Sequence, residues 1–141
     1  QALESNEPGS KTSVSEALLK AQPLIKRKGT LIIVSDFFDK SGLIFSALNP
    51  YLHRHFKVHL LHVLAPSELD LRGLNFSRFM DMEDGRRVIA DPNSIRSSYA
   101  KAMQEHINGL RMLSVRRGVE YSLARTDTHY FSLFDGLAEA K

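Results

Sequence analysis

Cysteine is absent from this 141-residue chain, and so is any apolar run near the roughly 20 residues that a membrane-spanning helix requires. The lack of cysteine excludes disulfides, thiolate metal ligands and a cysteine nucleophile. The glycine-rich phosphate-binding loop Gly-x-x-x-x-Gly-Lys-Ser/Thr does not occur either. Residues 1–10 are polar and acidic, whereas a signal peptide is basic and then apolar. We therefore expect a cytoplasmic protein.

The composition is that of an ordinary globular domain, because 43% of the residues are hydrophobic and 25% are charged. A chain of this length usually forms one domain with a buried core. Residues 1–11 are polar and contain Pro8-Gly9. We expect a flexible N-terminal segment over 1–11 and a single domain over 12–141.

The net charge of +3 comes with three basic clusters, at 26–28, 53–57 and 116–117. Each cluster follows a predicted helix and precedes a predicted strand, where cations stabilise the carbonyl end of a helix dipole. A nucleic-acid-binding patch is the alternative. We favour the dipole interpretation, expect no nucleic-acid partner, and place all three clusters at the amino edge of the predicted sheet.

Apolar periodicity predicts a first helix over 14–25, behind Ser13-Val14-Ser15-Glu16, which has the spacing of a capping box. Pro23 is expected to kink this helix or to end its regular part. The continuous apolar run 31–34 predicts a strand that helices cover on both faces of a parallel sheet.

Six further elements follow the first strand, and turn or capping signals mark the limits of several of them. They are a helix over 41–53, a strand over 58–64, a β-hairpin over 75–91 around Asp84-Gly85, a long helix from Asp91-Pro92 to near Gly118, a strand over 119–124, and a short helix from about Tyr130. Helix-linked strands predict an α/β fold, a partial open parallel sheet of three strands, Rossmann-like, with an inserted hairpin.

The strand at 31–34 is too apolar for an open sheet edge, because such an edge invites pairing with another chain. We therefore expect missing strands or a partner to cover it. We expect the chain, which begins at Gln1, to enter its fold partway, and we predict that the isolated chain forms a homo-oligomer through the 31–34 edge.

Asp36 is the first candidate for function, since it follows the 31–34 strand and ligands bind at the carboxyl ends of parallel strands. Its alternative role is to cap the next turn and helix, with Asp39 as the N-cap of the helix that begins near Ser41. His59 and His62 are three residues apart on a predicted strand and point to opposite faces, so they cannot bind one metal ion together. We expect both to be hydrogen-bonded core or interface residues.

The chain resembles the carboxyl-terminal half of a von Willebrand factor A-like (vWA-like) domain of the bacterial domain-of-unknown-function family fifty-eight (DUF58). An ordered series of residues carries the resemblance. It consists of Thr12 with Ala17-Leu18, the segment from Gly29 to Asp39, Leu61 to Glu68, Asp91-Pro92, Arg96, Tyr99, Gly118 to Tyr121, and Thr126-Asp127.

Domains of this kind commonly carry a metal-ion-dependent adhesion site, for which the resemblance implies Thr12 and Asp36 as ligands. The Asp-x-Ser-x-Ser segment that supplies the principal ligands is missing from this sequence. Weak or no metal binding is therefore expected. Binding of Mg²⁺ or Mn²⁺ is expected only if an upstream segment of the native protein supplies those ligands. No cofactor is expected in this chain. Ala65 is a further departure, because the family often has aspartate there.

The resemblance implies a non-enzymatic protein-interaction domain that acts with a MoxR-type AAA ATPase in the assembly or maturation of other proteins. It also allows membrane anchoring of full-length relatives, although this chain has no membrane segment of its own. The alternative is a small metal-assisted hydrolase that uses Asp36, Asp39 and His129 at the carboxyl edge of the sheet.

Overall fold

The computed structural model of the chain describes residues 13–71 and 92–128. Its elements are α1 (Val14–Ala21), β1 (Thr30–Ser35), α2 (Ser41–His53), β2 (Lys57–Leu64), α3 (Pro66–Asp70), α4 (Pro92–Arg117) and β3 (Glu120–Arg125). The expected hairpin over 75–91, the helix from about Tyr130 and the segment 1–11 lie outside the described residues. None of the helices in the two described ranges has the length and apolar character needed to cross a membrane.

The three strands form one open parallel sheet in the order β1-β2-β3, which confirms the α/β prediction. Leu60 lies opposite Tyr121 and Leu64 opposite Arg125 in the β2–β3 register. Among the strands of the described residues, β1 lies at one edge of this sheet. The chain divides into two compact units, the first comprising Gln1–Leu31 and Phe37–Val58, the second Ile32–Asp36 and His59–Lys141.

In the first unit, α1 and α2 pack together. The Ser13 hydroxyl caps α1 by accepting a hydrogen bond from the Glu16 backbone N–H, as the capping-box spacing predicted. α2 begins and ends where its periodicity predicted, and its buried side includes Ile44, Phe45, Leu48 and Tyr51. The buried Tyr51 hydroxyl donates to the Leu18 carbonyl at 2.6 Å, which ties the two helices together.

α1 is shorter than the periodicity predicted. It ends at Ala21 with Gln22 as the C-cap, so Leu24 and Ile25 lie in the turn that follows and not in the helix. Pro23 explains the early end, because proline has no N–H with which to continue the helical hydrogen bonds.

In the second unit, α4 packs against β3. Met103 and Ile107 of α4 and Leu64 of β2 form a buried cluster, with Tyr121 and Leu123 packed against it. α4 ends at Arg117, and Gly118 adopts the left-handed φ of 65° that favours glycine after a helix.

The double coverage predicted for β1 is wrong for the described residues. Exposed and half-buried positions alternate along the strand, and the side chains of Ile32 and Val34 are 50% and 61% exposed. A run of consecutive apolar residues cannot distinguish a strand that is buried on both faces from one with an apolar, exposed face.

α3 was not predicted, because its five residues are too few for helical periodicity to appear. It begins with Pro66, and the Glu68 carboxylate accepts a hydrogen bond from the Ala65 N–H at 2.7 Å. Proline at the first helical position and an acidic residue in the first turn are both favourable at a helix start.

Candidate functional site

Asp36 is exposed at the carboxyl end of β1. Ser35 donates a hydrogen bond from its hydroxyl to Asp36 Oδ1 at 3.3 Å. The next residue, Phe37, is completely buried and has a φ of 49°, in the left-handed region that bulky residues rarely adopt. Burying a phenylalanine stabilises a fold by about 1.5–3 kcal/mol, enough to offset such a conformation.

Asp39 is not the N-cap of α2, contrary to the alternative that the sequence suggested. The N-cap of α2 is Lys40, which makes no side-chain capping bond. Asp39 Oδ2 instead accepts a hydrogen bond from the Ser13 hydroxyl at 2.8 Å and from the Ser15 backbone N–H at 3.4 Å. Its carboxylate therefore stabilises the start of α1, where negative charge is favourable.

His62 lies between β3 and the end of β1 in the second unit. Its Nδ1 lies 2.7 Å from the Tyr121 hydroxyl on β3, and the backbone and carboxylate of Asp36 at the end of β1 both act electrostatically on the ring. The exposed Asp36 carboxylate is thus electrostatically coupled to a buried histidine.

Burial determines the electrostatics of this network. Desolvation lowers the pKa of His62 and keeps the ring neutral, and the neighbouring His106 lowers this pKa further. The Asp36 backbone and the Asp36 and Glu68 charges oppose the shift. Burial also raises the pKa of Tyr121 to about 12, against the Arg111 guanidinium 5.9 Å from its ring centroid. Tyr121 therefore remains a hydrogen-bond donor at physiological pH.

His59 occupies the other face of the sheet. Its Nε2 lies 3.0 Å from the Ser122 hydroxyl and its Nδ1 3.0 Å from Glu120 Oε2. Glu120 and Ser122 alternate with Tyr121 along β3 and point to the opposite face from it. His59 and His62 are both buried and hydrogen-bonded on opposite faces, which confirms the prediction for this pair.

A cleft of about 380 Å³ opens beside α3 and the first turns of α4, lined by Asp70, Arg96, Ser97 and Ala100. A second space of about 70 Å³ adjoins Asp70 and Arg125. Arg125 is held by Asp127 through two hydrogen bonds of 3.0 and 2.7 Å, so its charge is already matched. This pairing lowers the pKa of Asp127 and raises that of Arg125.

The described residues do not form a metal site. Across 13–71 and 92–128, no group of three or more His, Asp or Glu side chains is arranged to hold a metal ion. Thr12, the second ligand that the resemblance implied, lies outside the described residues. Asp36 is therefore the single described member of the expected ligand pair.

The sequence model of the family described as "Protein of unknown function DUF58" matches residues 1–109, which is about three-quarters of the chain. The chain belongs to the DUF58 family. No curated protein and no solved structure matches it significantly. The DUF58 match includes Asp36, His59 and His62, whereas β3 with Tyr121 lies beyond its end.

In this DUF58 chain, His62 therefore lies inside the matched region, and its hydrogen-bond partner Tyr121 lies outside it. Sequence reasoning identified Asp36, His59 and His62 but missed the roles of Tyr121 and His106. The rings of His62 and His106 lie 6.1 Å apart, edge to face. The sequence did contain one signal for Tyr121, because neighbouring strand residues point to opposite faces of a sheet and Tyr121 is therefore on the other face from Ser122.

Proposed function

We propose that this DUF58 chain is a non-enzymatic protein-interaction domain of the vWA-like type whose partner contacts the carboxyl end of β1 at Asp36. The observation that supports this proposal is an exposed carboxylate at the carboxyl end of β1. The Asp36 side chain faces solvent, and the Ser35 hydroxyl donates a hydrogen bond to its Oδ1 at 3.3 Å. A carboxylate that is held in one orientation binds a partner with less loss of conformational freedom.

The proposed partner is a MoxR-type AAA ATPase, with which the chain would act in the assembly or maturation of other proteins. This partner class rests on the vWA-like resemblance and on membership of the DUF58 family. An exposed acidic residue is suited to a basic surface on the ATPase, because complementary charges speed association and select the partner.

A metal-assisted hydrolase is the weaker alternative. Its proposed second carboxylate, Asp39, already accepts hydrogen bonds from Ser13 and Ser15 at the start of α1. Its proposed histidine, His129, lies outside the described residues. The engagement of Asp39 at the start of α1 is the reason that we place the hydrolase second.

Binding to a purified MoxR-type AAA ATPase tests the proposal. Asp36→Ala should weaken binding by at least about tenfold, the range expected for a charged interface residue. The control is Glu105→Ala, which removes an exposed carboxylate from α4 and should leave binding unchanged. Equal binding of Asp36→Ala and wild type would contradict the proposal, and hydrolysis in a phosphoesterase or peptidase panel that Asp36→Ala abolishes would favour the enzyme.

We also propose that the chain forms a homodimer through the edge of β1, with two copies of the strand paired antiparallel. β1 has the sequence Thr-Leu-Ile-Ile-Val-Ser and carries no charge over its six residues. A twofold arrangement therefore brings no like charges together, and charges and proline, the usual protection of an edge strand, are both missing from β1.

A further inference from the structure

The first unit carries a positive charge that the helix dipoles do not explain. Its described part contains seven Lys or Arg residues and two carboxylates, Glu16 and Asp39. Glu16 is in the first turn of α1, and Asp39 is hydrogen-bonded to Ser13 just before that turn. The cluster 26–28 follows the other end of α1, about 12 Å away along an eight-residue helix.

The dipole interpretation is wrong for this cluster. α1 ends at Ala21, so Lys26 lies five residues beyond the helix, outside the last turn where the dipole acts. Arg116 and Arg117 lie in the last turn of α4, and His53 lies in the last turn of α2, which are the positions that this interpretation requires. The 26–28 cluster needs another explanation.

One hydrogen bond joins the 26–28 cluster to the 53–57 cluster, and a second joins the residue that follows the first cluster to Lys57. Arg54 donates from Nη2 to the Lys26 carbonyl at 2.7 Å, and the Lys57 N–H donates to the Gly29 carbonyl at 3.0 Å. The two clusters therefore form one surface, which we call the basic surface. It comprises Lys26, Arg27, Lys28, His53, Arg54, His55 and Lys57, and within the described part of the chain no salt bridge joins any of them to a carboxylate.

An exposed leucine stands at the border of the basic surface. Leu24 is 79% exposed, the highest value among the large hydrophobic residues described. Its position is fixed, because the N–H groups of Leu24 and Ile25 both donate to the Ala21 carbonyl, at 3.0 and 3.2 Å. A hydrogen-bonded turn thus holds an aliphatic side chain in water two residues before three consecutive cations.

We propose that the basic surface, together with Leu24, docks on the surface of an anionic phospholipid bilayer. The Lys and Arg side chains would lie at the headgroup phosphates, and Leu24 would enter the boundary between headgroups and acyl chains. This binding is peripheral and needs no spanning helix. It uses residues other than Asp36 and is independent of the function proposed above.

Nucleic acid is the other polyanion to consider, and the basic surface is less suited to it. Sequence-independent binding of single strands combines positive charge with exposed aromatic rings on which bases stack. The aromatic residue in the 53–57 segment is Phe56, which is 7% exposed and lies under Arg54, with 5.3 Å from the guanidinium carbon to the ring centroid. The exposed apolar group at the border of the basic surface is Leu24, whose aliphatic side chain fits a lipid interface.

Co-sedimentation with vesicles of phosphatidylcholine, with and without phosphatidylglycerol, tests the proposal. The chain should bind only the vesicles that contain phosphatidylglycerol, and added salt should weaken this binding. Lys26→Gln with Lys28→Gln should lower the affinity roughly 25-fold, about fivefold per cation, which corresponds to about 1 kcal/mol per basic residue. The control variant Lys40→Gln with Lys101→Gln removes the same charge from exposed positions outside the basic surface, and it should change the affinity for these vesicles little.

The variant Leu24→Ser distinguishes binding to a membrane from binding to other polyanions. It should weaken vesicle binding roughly tenfold, because apolar burial at the interface is lost, and leave binding to soluble heparin unchanged. Failure to bind anionic vesicles would overturn the proposal, as would equal binding of Leu24→Ser and wild type. Binding of a single-stranded oligonucleotide through Lys26 and Lys28, without vesicle binding, would assign the basic surface to nucleic acid instead.

Discussion

The hydroxyl of Tyr121 on β3 lies 2.7 Å from Nδ1 of His62 on β2, diagonally across the two paired strands. The same imidazole interacts electrostatically with the backbone and the carboxylate of Asp36 at the end of β1. One buried ring therefore couples the exposed carboxylate of the candidate site to β2 and β3. This coupling makes the site dependent on the packing of β3 and α4.

Tyr121→Phe should lower the free energy of unfolding by about 1–3 kcal/mol, because it leaves the buried His62 Nδ1 without its partner. Urea denaturation followed by circular dichroism measures this loss. The control is Tyr99→Phe, since Tyr99 packs against the same buried cluster without a hydrogen bond from its hydroxyl within the described residues. Equal stability of the two variants would show that the Tyr121 hydroxyl contributes nothing through His62.

The stability of the fold should depend on pH through His62. Burial lowers the pKa of this histidine below its usual value of 6.5, so the unfolded chain takes up the proton first as the pH falls. The contribution of His62 is therefore complete above pH 6.5 and is lost as the pH decreases from 6.5 towards the folded-state pKa. Urea denaturation at a series of pH values measures it.

His62→Asn is the matched variant for this dependence, because asparagine can still hydrogen-bond but does not titrate. The variant should be less stable than wild type at neutral pH, and its stability should fall less steeply below pH 6.5. Parallel curves for wild type and His62→Asn would assign the pH dependence to other groups.

The sequence predicted the elements whose patterns are local and long. α2 and α4 have apolar periodicity over 13 and 26 residues, and their limits agree with the prediction. The burial of β1 was predicted wrongly, since coverage of a strand depends on elements distant in sequence. α3 was missed because five residues give no periodicity.

The candidate site was predicted in part for a similar reason. The position of Asp36 follows from the direction of one strand, which the sequence contains. The bond between Asp39 and Ser13 joins residues 26 positions apart, and that between His62 and Tyr121 joins residues 59 apart. No local pattern encodes such pairings, so sequence reasoning assigned Asp39 to the nearest helix start.

Asp39→Ala should destabilise the start of α1 by about 0.5–2 kcal/mol, the usual range for loss of an N-terminal capping interaction. The cause is the loss of the bonds from the Ser13 hydroxyl and the Ser15 N–H to its carboxylate. Asp39→Asn keeps an acceptor oxygen and should recover part of this loss. Hydrogen exchange of the first amides of α1 measures the effect, and unchanged protection in Asp39→Ala would contradict this role.

The exposed face of β1 provides the test of self-association. Val34→Lys places a charge on an edge strand, where it opposes pairing with a second copy without affecting the buried side of the strand. Sedimentation velocity over a range of concentrations should show a dimer for the wild-type chain and a monomer for Val34→Lys. Leu43→Lys adds the same charge at an exposed position of α2 and should leave the dimer intact. A wild-type chain that stays monomeric at all concentrations would contradict dimerisation through β1, whereas loss of the dimer in both variants would indicate an effect of net charge and not of the strand edge.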